Sequence, residues 1–223
     1  MTNYRNRNGV LPALYVVTDT VIGRGRSHAE IAVAAATGGA GVIQLRDKQL
    51  TGAALLREAL HIRVALAAYD VIFVVNDSLD VALASGADGV HLGQSDGSVT
   101  EARAAAENAA LDSFLIGVSV GSVEEACRAV HEGADYVALG PVFSTTSKAD
   151  AGAARGLALL QEIRAAVPVP LVGIGGIGLQ NVQDVFRAGA DSAAVISAVV
   201  GQDDVAAAAQ EMLGLIGVVR PLE

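Results

Sequence analysis

A short motif recurs four times along the chain, and its spacing constrains the fold more than any other feature. Each copy starts with a glycine and an alanine and runs into an apolar stretch; the copies start at Gly39, Gly86, Gly133 and Gly189. These glycines lie 47, 47 and 56 residues apart. One strand-and-helix unit of an α/β barrel takes roughly 30 residues. Each interval therefore has room for a second strand and a second helix.

Four more apolar runs, rich in β-branched residues, lie before the first copy and between the copies. They begin at Leu14, Ile72, Phe114 and Leu171. Helical stretches separate the runs, and each repeat glycine stands where a left-handed residue would end a helix. Four copies and four runs make eight strands that alternate with helices, which indicates a parallel sheet.

We therefore expect an α/β fold consisting of a single (β/α)8 TIM barrel over residues 1–223, with residues 1–12 as a loose N-terminal extension. The alternative is an open doubly wound sheet. That fold does not require eight evenly spaced units, and it usually carries a glycine-rich dinucleotide loop after its first strand. No such loop follows Asp19.

Composition restricts the partners of the chain. A formal charge of -9 and an aromatic content of 4% are unfavourable for binding nucleic acid or an anionic membrane. The single cysteine, Cys127, excludes an intrachain disulfide and suits the cytoplasm; we expect it to be buried and structural. We expect small-molecule substrates and a cytoplasmic location with no signal peptide or membrane span, and we leave a homo-oligomer open.

The carboxyl ends of barrel strands carry the active site in such folds, so the residues that follow each strand are the candidates. Arg46, Lys48 and Lys148 supply three cations, as a diphosphate would need, although each alone could be a solvated loop residue. Asp77 and Asp96 end neighbouring strands, and such an oxygen-only pair suits Mg²⁺. The alternative for these aspartates is helix capping.

A glycine-rich run over residues 173–178 follows the seventh strand, and Ser197 follows the eighth. The loops after these two strands form the usual phosphate site of a barrel. We therefore predict a phosphate site here. We expect His28, His61 and His131 to lie on helix surfaces, and His91 to be a packed interior residue rather than a ligand.

Eight short motifs, in this order and spacing, make the chain resemble the thiamine phosphate synthase family from about residue 14 to residue 199. They are 44–48 (QLRDK), 76–77 (ND), 90–96 (VHLGQSD), 117–119 (GVS), 139–143 (LGPVF), Lys148, 173–177 (GIGGI) and 195–197 (VIS). The chain departs from the family pattern after Ser119, where a histidine usually follows, and in the loop at 144–148, which lacks a proline.

The resemblance implies an enzyme that joins a hydroxymethylpyrimidine diphosphate to a thiazole phosphate, with thiamine phosphate and pyrophosphate as products. It implies that Asp77 and Asp96 bind Mg²⁺ and that Arg46, Ser119 and Lys148 are catalytic. The residues it assigns to the pyrimidine diphosphate are Gln44, Arg46, Lys48, Asn76, Ser119 and Lys148. Those it assigns to the thiazole phosphate are Thr145, Ser147, Gly176, Ile196 and Ser197.

Two other functions remain open at this point. One is a thiazole tautomerase of the same barrel family, which would need the thiazole phosphate site alone. The presence of Arg46, Lys48, Asn76, Asp77 and Asp96 argues against it. The other is a non-catalytic protein that binds a phosphorylated ligand, which no charged tail or interaction motif supports.

Overall fold

A computed structural model describes residues 10–147 and 152–220. In this part of the chain eight strands alternate with helices. The strands are β1 (Leu14–Val17), β2 (Val42–Leu45), β3 (Ile72–Asn76), β4 (Gly89–Leu92), β5 (Leu115–Val120), β6 (Tyr136–Leu139), β7 (Leu171–Ile174) and β8 (Ser192–Val195). The helices are α1 (His28–Thr37), α2 (Gly52–Ala65), α3 (Leu79–Ser85), α4 (Val99–Asn108), α5 (Val123–His131), α6 (Gly156–Ala166), α7 (Val182–Arg187), α8 (Ser197–Val200) and α9 (Val205–Val219).

The strands close into a parallel barrel in chain order, with β8 paired to β1. Tyr15 of β1, for example, lies opposite Val42 of β2 and Ala194 of β8. The prediction of a (β/α)8 barrel is confirmed: the four repeats supply β2, β4, β6 and β8. Each repeat glycine also has the positive φ expected at a helix end, between 67° and 104°. Across the described residues no helix is long and apolar enough to cross a membrane.

The aspartate in three of the repeats explains why the motif recurs. In each of these repeats the aspartate carboxylate accepts, at 2.8 Å, a backbone N–H group near the start of the strand that comes before the repeat. The same carboxylate forms an ion pair with an arginine on the helix that precedes this strand. The three sets are Asp88 with Phe73 and Arg63, Asp135 with Ile116 and Arg103, and Asp191 with Leu171 and Arg164. Each set ties a helix to two neighbouring strands at the amino-terminal end of the barrel.

The first repeat has Gly41 where the others have aspartate, because the chain entering the barrel occupies that space. A Cβ on Gly41 would lie 2.3 Å from Cβ of Pro12. The neighbouring Leu11 is 1% exposed and packs with Tyr15 in the core inside the barrel. The expectation of a loose extension over 1–12 is therefore wrong at Leu11, which closes the lower end of the barrel; residues 1–9 lie outside the described part.

The core has two layers, as burial of a sheet on both faces requires. Alternate strand residues point inward and fill the barrel, among them Val17, Val74, Tyr136 and Val172. The residues between them point outward and pack under the helices. The upper end of the inner layer is polar, and this end carries the cavity described next.

Candidate active site

A cavity of about 160 Å³ lies at the carboxyl ends of the strands. Nine of the residues expected to hold substrate line it together: Gln44, Arg46, Asn76, Ser119, Thr145, Ser147, Gly176, Ile196 and Ser197. Lys48, Asp77 and Asp96 follow β2, β3 and β4 beside this cavity and are linked to one another. Lys148 lies outside the described residues. The barrel thus brings the described candidates to one rim, although they come from seven strand ends.

The loop after β2 is held by a buried histidine. His28 is 2% exposed; its Nδ1 lies 2.7 Å from Thr18 Oγ1 and its Nε2 lies 3.0 Å from Asp47 Oδ2. The prediction that His28 is a surface residue is wrong, because Ser27 caps α1 and directs its first residue toward the rim. Asp47 also accepts the backbone N–H groups of Gln49 and Leu50. This network holds the loop that carries Arg46 and Lys48.

These contacts affect the ionisation of the Asp47 carboxyl. Burial alone would raise its pKa, but the hydrogen bonds from His28, Leu50 and Gln49 outweigh burial and lower the pKa below its ordinary value. Arg46, on the same loop, is largely buried and lies 3.8 Å from Asp19 Oδ2. Asp47 is therefore a charged structural anchor, while Arg46 lines the cavity.

Asp77 and Asp96 lie next to each other beside the cavity. Burial first, and then the neighbouring Asp77 carboxyl group, raise the pKa of Asp96 above its ordinary value. Lys48 Nζ donates to Asp77 Oδ2 at 2.8 Å, and the Gly93 N–H donates to Asp96 Oδ2 at 2.9 Å. The two carboxyl groups therefore lie side by side, with the Lys48 ammonium group bound to one of them.

Asp77 also has an unusual backbone conformation, with φ at 64°. Aspartate and asparagine tolerate this left-handed region better than most residues. Among the described residues no cluster of three or more His, Cys, Asp or Glu side chains could hold a metal by itself. A divalent ion at Asp77 and Asp96 would thus need further oxygen ligands from water or from a substrate, which is how Mg²⁺ is commonly held.

The opposite side of the cavity is built from the segments after β6, β7 and β8. Ser147 Oγ donates to Ser197 Oγ at 3.1 Å, and the Ser147 N–H donates to Thr145 Oγ1 at 3.2 Å. Asn181 fixes the loop after β7 by donating to the Gly176 carbonyl and accepting the Gly178 N–H. Hydroxyls and glycine backbone thus line this side, and the described part of it carries no cation among the lining residues.

The packing of the protein requires glycine at position 176, whether or not a ligand is bound. Its φ is 64°, and a Cβ there would lie 2.5 Å from the Ser144 carbonyl oxygen and 2.8 Å from Phe143 Cβ. The loop after β6 runs against the loop after β7, with the Phe143 N–H donating to the Gly175 carbonyl at 3.0 Å. The sequence suggested glycine for approach to a phosphate; the structure adds the close approach of another loop.

The floor of the cavity is a set of five hydrogen-bonded side chains, which we call the floor network: Gln44, Tyr15, Tyr136, His91 and Ser119. His91 is 8% exposed, in accord with its predicted interior position, and it also lines the cavity. The two tyrosines were not among the sequence candidates. Both stand at inward-facing positions of their strands, and this alternation was the signal that could have found them.

Cys127 is exposed, so the prediction of a buried cysteine is wrong. Helix α5 buries Ala126 and Ala129 instead, and Cys127 lies away from this buried face. Cys127 is not among the residues that line the cavity.

Comparison with known proteins agrees with the arrangement of these residues. A family model described as thiamine monophosphate synthase matches residues 14–199. The chain belongs to this family. The match covers all eight strands and every described candidate residue, so the predicted family is confirmed.

Relatives in the thiamine monophosphate synthase family cover nearly the same length. The chain is 60% identical over 199 residues to a thiamine-phosphate synthase of Methanoculleus marisnigri, with 89% of this chain and 92% of the relative covered. It is 58% identical to one of Methanoregula boonei, with 89% and 90% covered. A solved thiamine phosphate pyrophosphorylase from Pyrococcus furiosus superposes with a TM-score of 0.85 at 38% identity, covering 96% of this chain and 98% of that one.

Proposed function

We propose that the chain is a thiamine-phosphate synthase, a transferase that joins 4-amino-2-methyl-5-hydroxymethylpyrimidine diphosphate to 4-methyl-5-(2-phosphoethyl)thiazole and releases pyrophosphate. One observation carries the proposal: a single cavity has Arg46 on one side, with Lys48 and the paired carboxyl groups beside it, and hydroxyls with glycine backbone on the other side. Two phosphorylated molecules could thus meet there with their carbon and nitrogen atoms facing each other. We also propose a cytoplasmic location, which suits a chain whose single cysteine cannot form an intrachain disulfide.

The side formed by β2, β3 and β5 would hold the pyrimidine diphosphate. Arg46 and Lys48 supply positive charge in a protein whose net charge is -9. Gln44, Asn76 and Ser119 supply neutral hydrogen-bonding groups at the same rim. Lys148 would add a third cation from the loop after β6.

The acidic pair fits Mg²⁺. Asp77 and Asp96 offer only oxygen atoms as ligands, and the Asp77 side chain is partly shielded from water. Oxygen atoms of the diphosphate would complete the coordination. When bound, Mg²⁺ would neutralise part of the charge on the leaving diphosphate. In that complex Lys48 would exchange its contact with Asp77 for a contact with the diphosphate, since both anions compete for the same ammonium group.

The side formed by the loops after β6, β7 and β8 would hold the thiazole phosphate. Thr145, Ser147 and Ser197 offer hydroxyls, and Gly176 and Ile196 offer backbone groups. The mutual hydrogen bond between Ser147 and Ser197 would be replaced by bonds to phosphate oxygens. Neutral donors suffice here because the phosphate is kept in the product rather than expelled.

The chemistry then depends mainly on charge and position. The bond between the pyrimidine methylene carbon and the diphosphate oxygen breaks, and its electron pair leaves with pyrophosphate. The thiazole nitrogen lone pair forms the new carbon–nitrogen bond. Arg46, Lys48 and Lys148 stabilise the departing charge, Ser119 contributes a hydrogen bond, and the cavity aligns the two reactants. No nucleophilic side chain is needed.

The decisive experiment is a synthesis assay with purified protein and both substrates, in which thiamine phosphate and pyrophosphate are measured separately. We expect equal amounts of the two products, loss of both after EDTA treatment, and recovery on adding Mg²⁺. Asp80→Asn, on the exposed start of α3, serves as a control with full activity. Isomerisation of a thiazole phosphate without synthesis, or binding without turnover, would reject the proposal.

A further inference from the structure

The floor network joins Gln44 of β2 to Ser119 of β5, two of the residues that the proposed function assigns to the pyrimidine diphosphate. Gln44 Nε2 donates to Tyr15 Oη at 2.6 Å, and Tyr15 Oη lies 3.0 Å from Tyr136 Oη. Tyr136 Oη lies 3.1 Å from His91 Nδ1, and His91 Nε2 lies 2.9 Å from Ser119 Oγ. The network is continuous from β2 to β5, and only its centre, Tyr136, is absent from the cavity lining.

Tyr136 is held in place by close packing. It is fully buried, its ring stacks on His91 with centroids 5.6 Å apart, and it meets the Tyr15 ring edge-on at 6.3 Å. A Cβ on Gly117 would lie 2.0 Å from Cζ of Tyr136, so the glycine leaves room for the ring. The hydroxyl of Tyr136 therefore has one fixed location beside His91 Nδ1.

The bond at the Gln44 end of this network favours one direction for the others. Because the Gln44 amide donates to Tyr15 Oη, the hydroxyl hydrogen of Tyr15 can turn to Tyr136. Burial raises the pKa of Tyr15 above its ordinary value, so the phenol keeps this hydrogen. If the remaining bonds run the same way, Tyr136 donates to His91 Nδ1, His91 Nε2–H donates to Ser119 Oγ, and the Ser119 hydrogen is left to point into the cavity.

The direction matters because the expected ligand is an anion. In the opposite arrangement Ser119 would donate to His91 Nε2 and present only lone pairs to the cavity, which would repel a diphosphate oxygen. In the arrangement above, Ser119 presents a hydrogen. The tautomer of His91 decides between the two.

We propose that Tyr136 is a positioning residue that holds His91 as the Nε2–H tautomer and so turns the Ser119 hydroxyl into the cavity as a donor to a diphosphate oxygen. Tyr15 acts in the same way one bond further along, between Tyr136 and Gln44. The inference rests on the proposed function, because that function places the diphosphate beside Ser119.

The first test reads the tautomer directly. In ¹⁵N-labelled protein, long-range ¹H–¹⁵N spectra distinguish the two ring nitrogens of each histidine, and His91→Gln identifies the signals of His91. We expect a single Nε2–H tautomer in the wild type and a mixture of tautomers in Tyr136→Phe, which keeps the ring and removes the hydroxyl. An Nδ1–H tautomer in the wild type, or an unchanged spectrum in the variant, would overturn the proposal.

The second test separates the two substrates. For Tyr136→Phe we expect kcat/KM for the pyrimidine diphosphate to fall about tenfold, while KM for the thiazole phosphate stays within about twofold. Tyr69→Phe is the matched control, since it removes a hydroxyl that contacts Thr37 on the outer surface. Unchanged kinetics in Tyr136→Phe, or equal losses for both substrates, would contradict the positioning role.

Two further outcomes have a defined meaning. If circular dichroism shows that Tyr136→Phe is not folded, Tyr15→Phe replaces it, because that variant breaks the same network at the next bond and carries the same expectations. If the wild type makes no thiamine phosphate, the proposed function is wrong. The NMR measurement of the His91 tautomer requires no turnover. In that case it still shows which way the hydrogen bonds of the network run.

Discussion

Replacing Asp77 by asparagine removes a negative charge and leaves the shape and the left-handed backbone of this residue intact. Two effects on stability oppose each other. The ion pair with Lys48 is lost, but Lys48 is 51% exposed, so the loss is about 0–1 kcal/mol. The unfavourable proximity to the Asp96 carboxylate is relieved at the same time. We expect the free energy of unfolding of Asp77→Asn to lie within about 1 kcal/mol of the wild type.

The effect on turnover should be much larger. If Asp77 helps to hold Mg²⁺ against the diphosphate, its loss should lower kcat by about 10²–10³-fold, the range found for a single electrostatic contact to a transition state. Asp77→Ala should lose as much activity as Asp77→Asn. Its free energy of unfolding should be lower than that of Asp77→Asn by about 1–2 kcal/mol, because alanine at a φ of 64° is strained. The two variants therefore separate charge from backbone.

The assay is steady-state synthesis of thiamine phosphate over a Mg²⁺ titration, combined with urea unfolding of both variants. Asp80→Asn, three residues further along the chain, is the matched control and should retain both properties. An Asp77→Asn variant whose kcat is within about threefold of the wild type, with an unchanged Mg²⁺ response, would refute the metal assignment. If Asp77→Ala and Asp77→Asn differ in kcat as well as in the free energy of unfolding, the effect of charge is not separate from that of backbone conformation.

Three further predictions follow from contacts at the rim and at the base of the barrel. Gly176→Ala should raise KM for the thiazole phosphate more than KM for the diphosphate, because its Cβ would push the Ser144 carbonyl away; the two KM values measure this. Asp47→Asn should lower the free energy of unfolding by about 1–2 kcal/mol at pH 7 by weakening the contact with His28, as urea unfolding can measure. Asp135→Asn should cost about 1–3 kcal/mol and leave kcat within about twofold, since this ion pair lies at the opposite end of the barrel.

The Asp47 prediction includes a dependence on pH. Its folded pKa is lowered, so the carboxylate stabilises the fold above the ordinary pKa near 3.8 and loses this effect as pH falls through the lower folded value. The difference between wild type and Asp47→Asn should therefore shrink below about pH 4. A difference that is constant from pH 7 to pH 3 would contradict it. Equal changes in the KM values of both substrates would contradict the Gly176→Ala prediction. A large loss of kcat would contradict the Asp135→Asn prediction.

Much of this protein could be predicted from local patterns in its sequence. The glycine of each repeat takes a positive φ at a helix end, and the apolar runs become strands buried on both faces; both features depend on residues close together along the chain. Counting them gives eight strands. Because parallel strands bring all their carboxyl ends to one rim, residues as distant as Gln44 and Ser197 could be placed at one site before any contact was known.

The tertiary structure alone decided which side chains meet. Tyr15 and Tyr136 are 121 residues apart, and only closure of the barrel puts their hydroxyls 3.0 Å from each other. His28 is buried because the start of α1 lies over the loop after β2, a contact that helix periodicity does not encode. Periodicity reports which face of an element is apolar, and it carries no information about the partner across the core. The sequence by itself therefore determined the barrel and the position of its site, and three-dimensional packing decided the hydrogen bonds within that site.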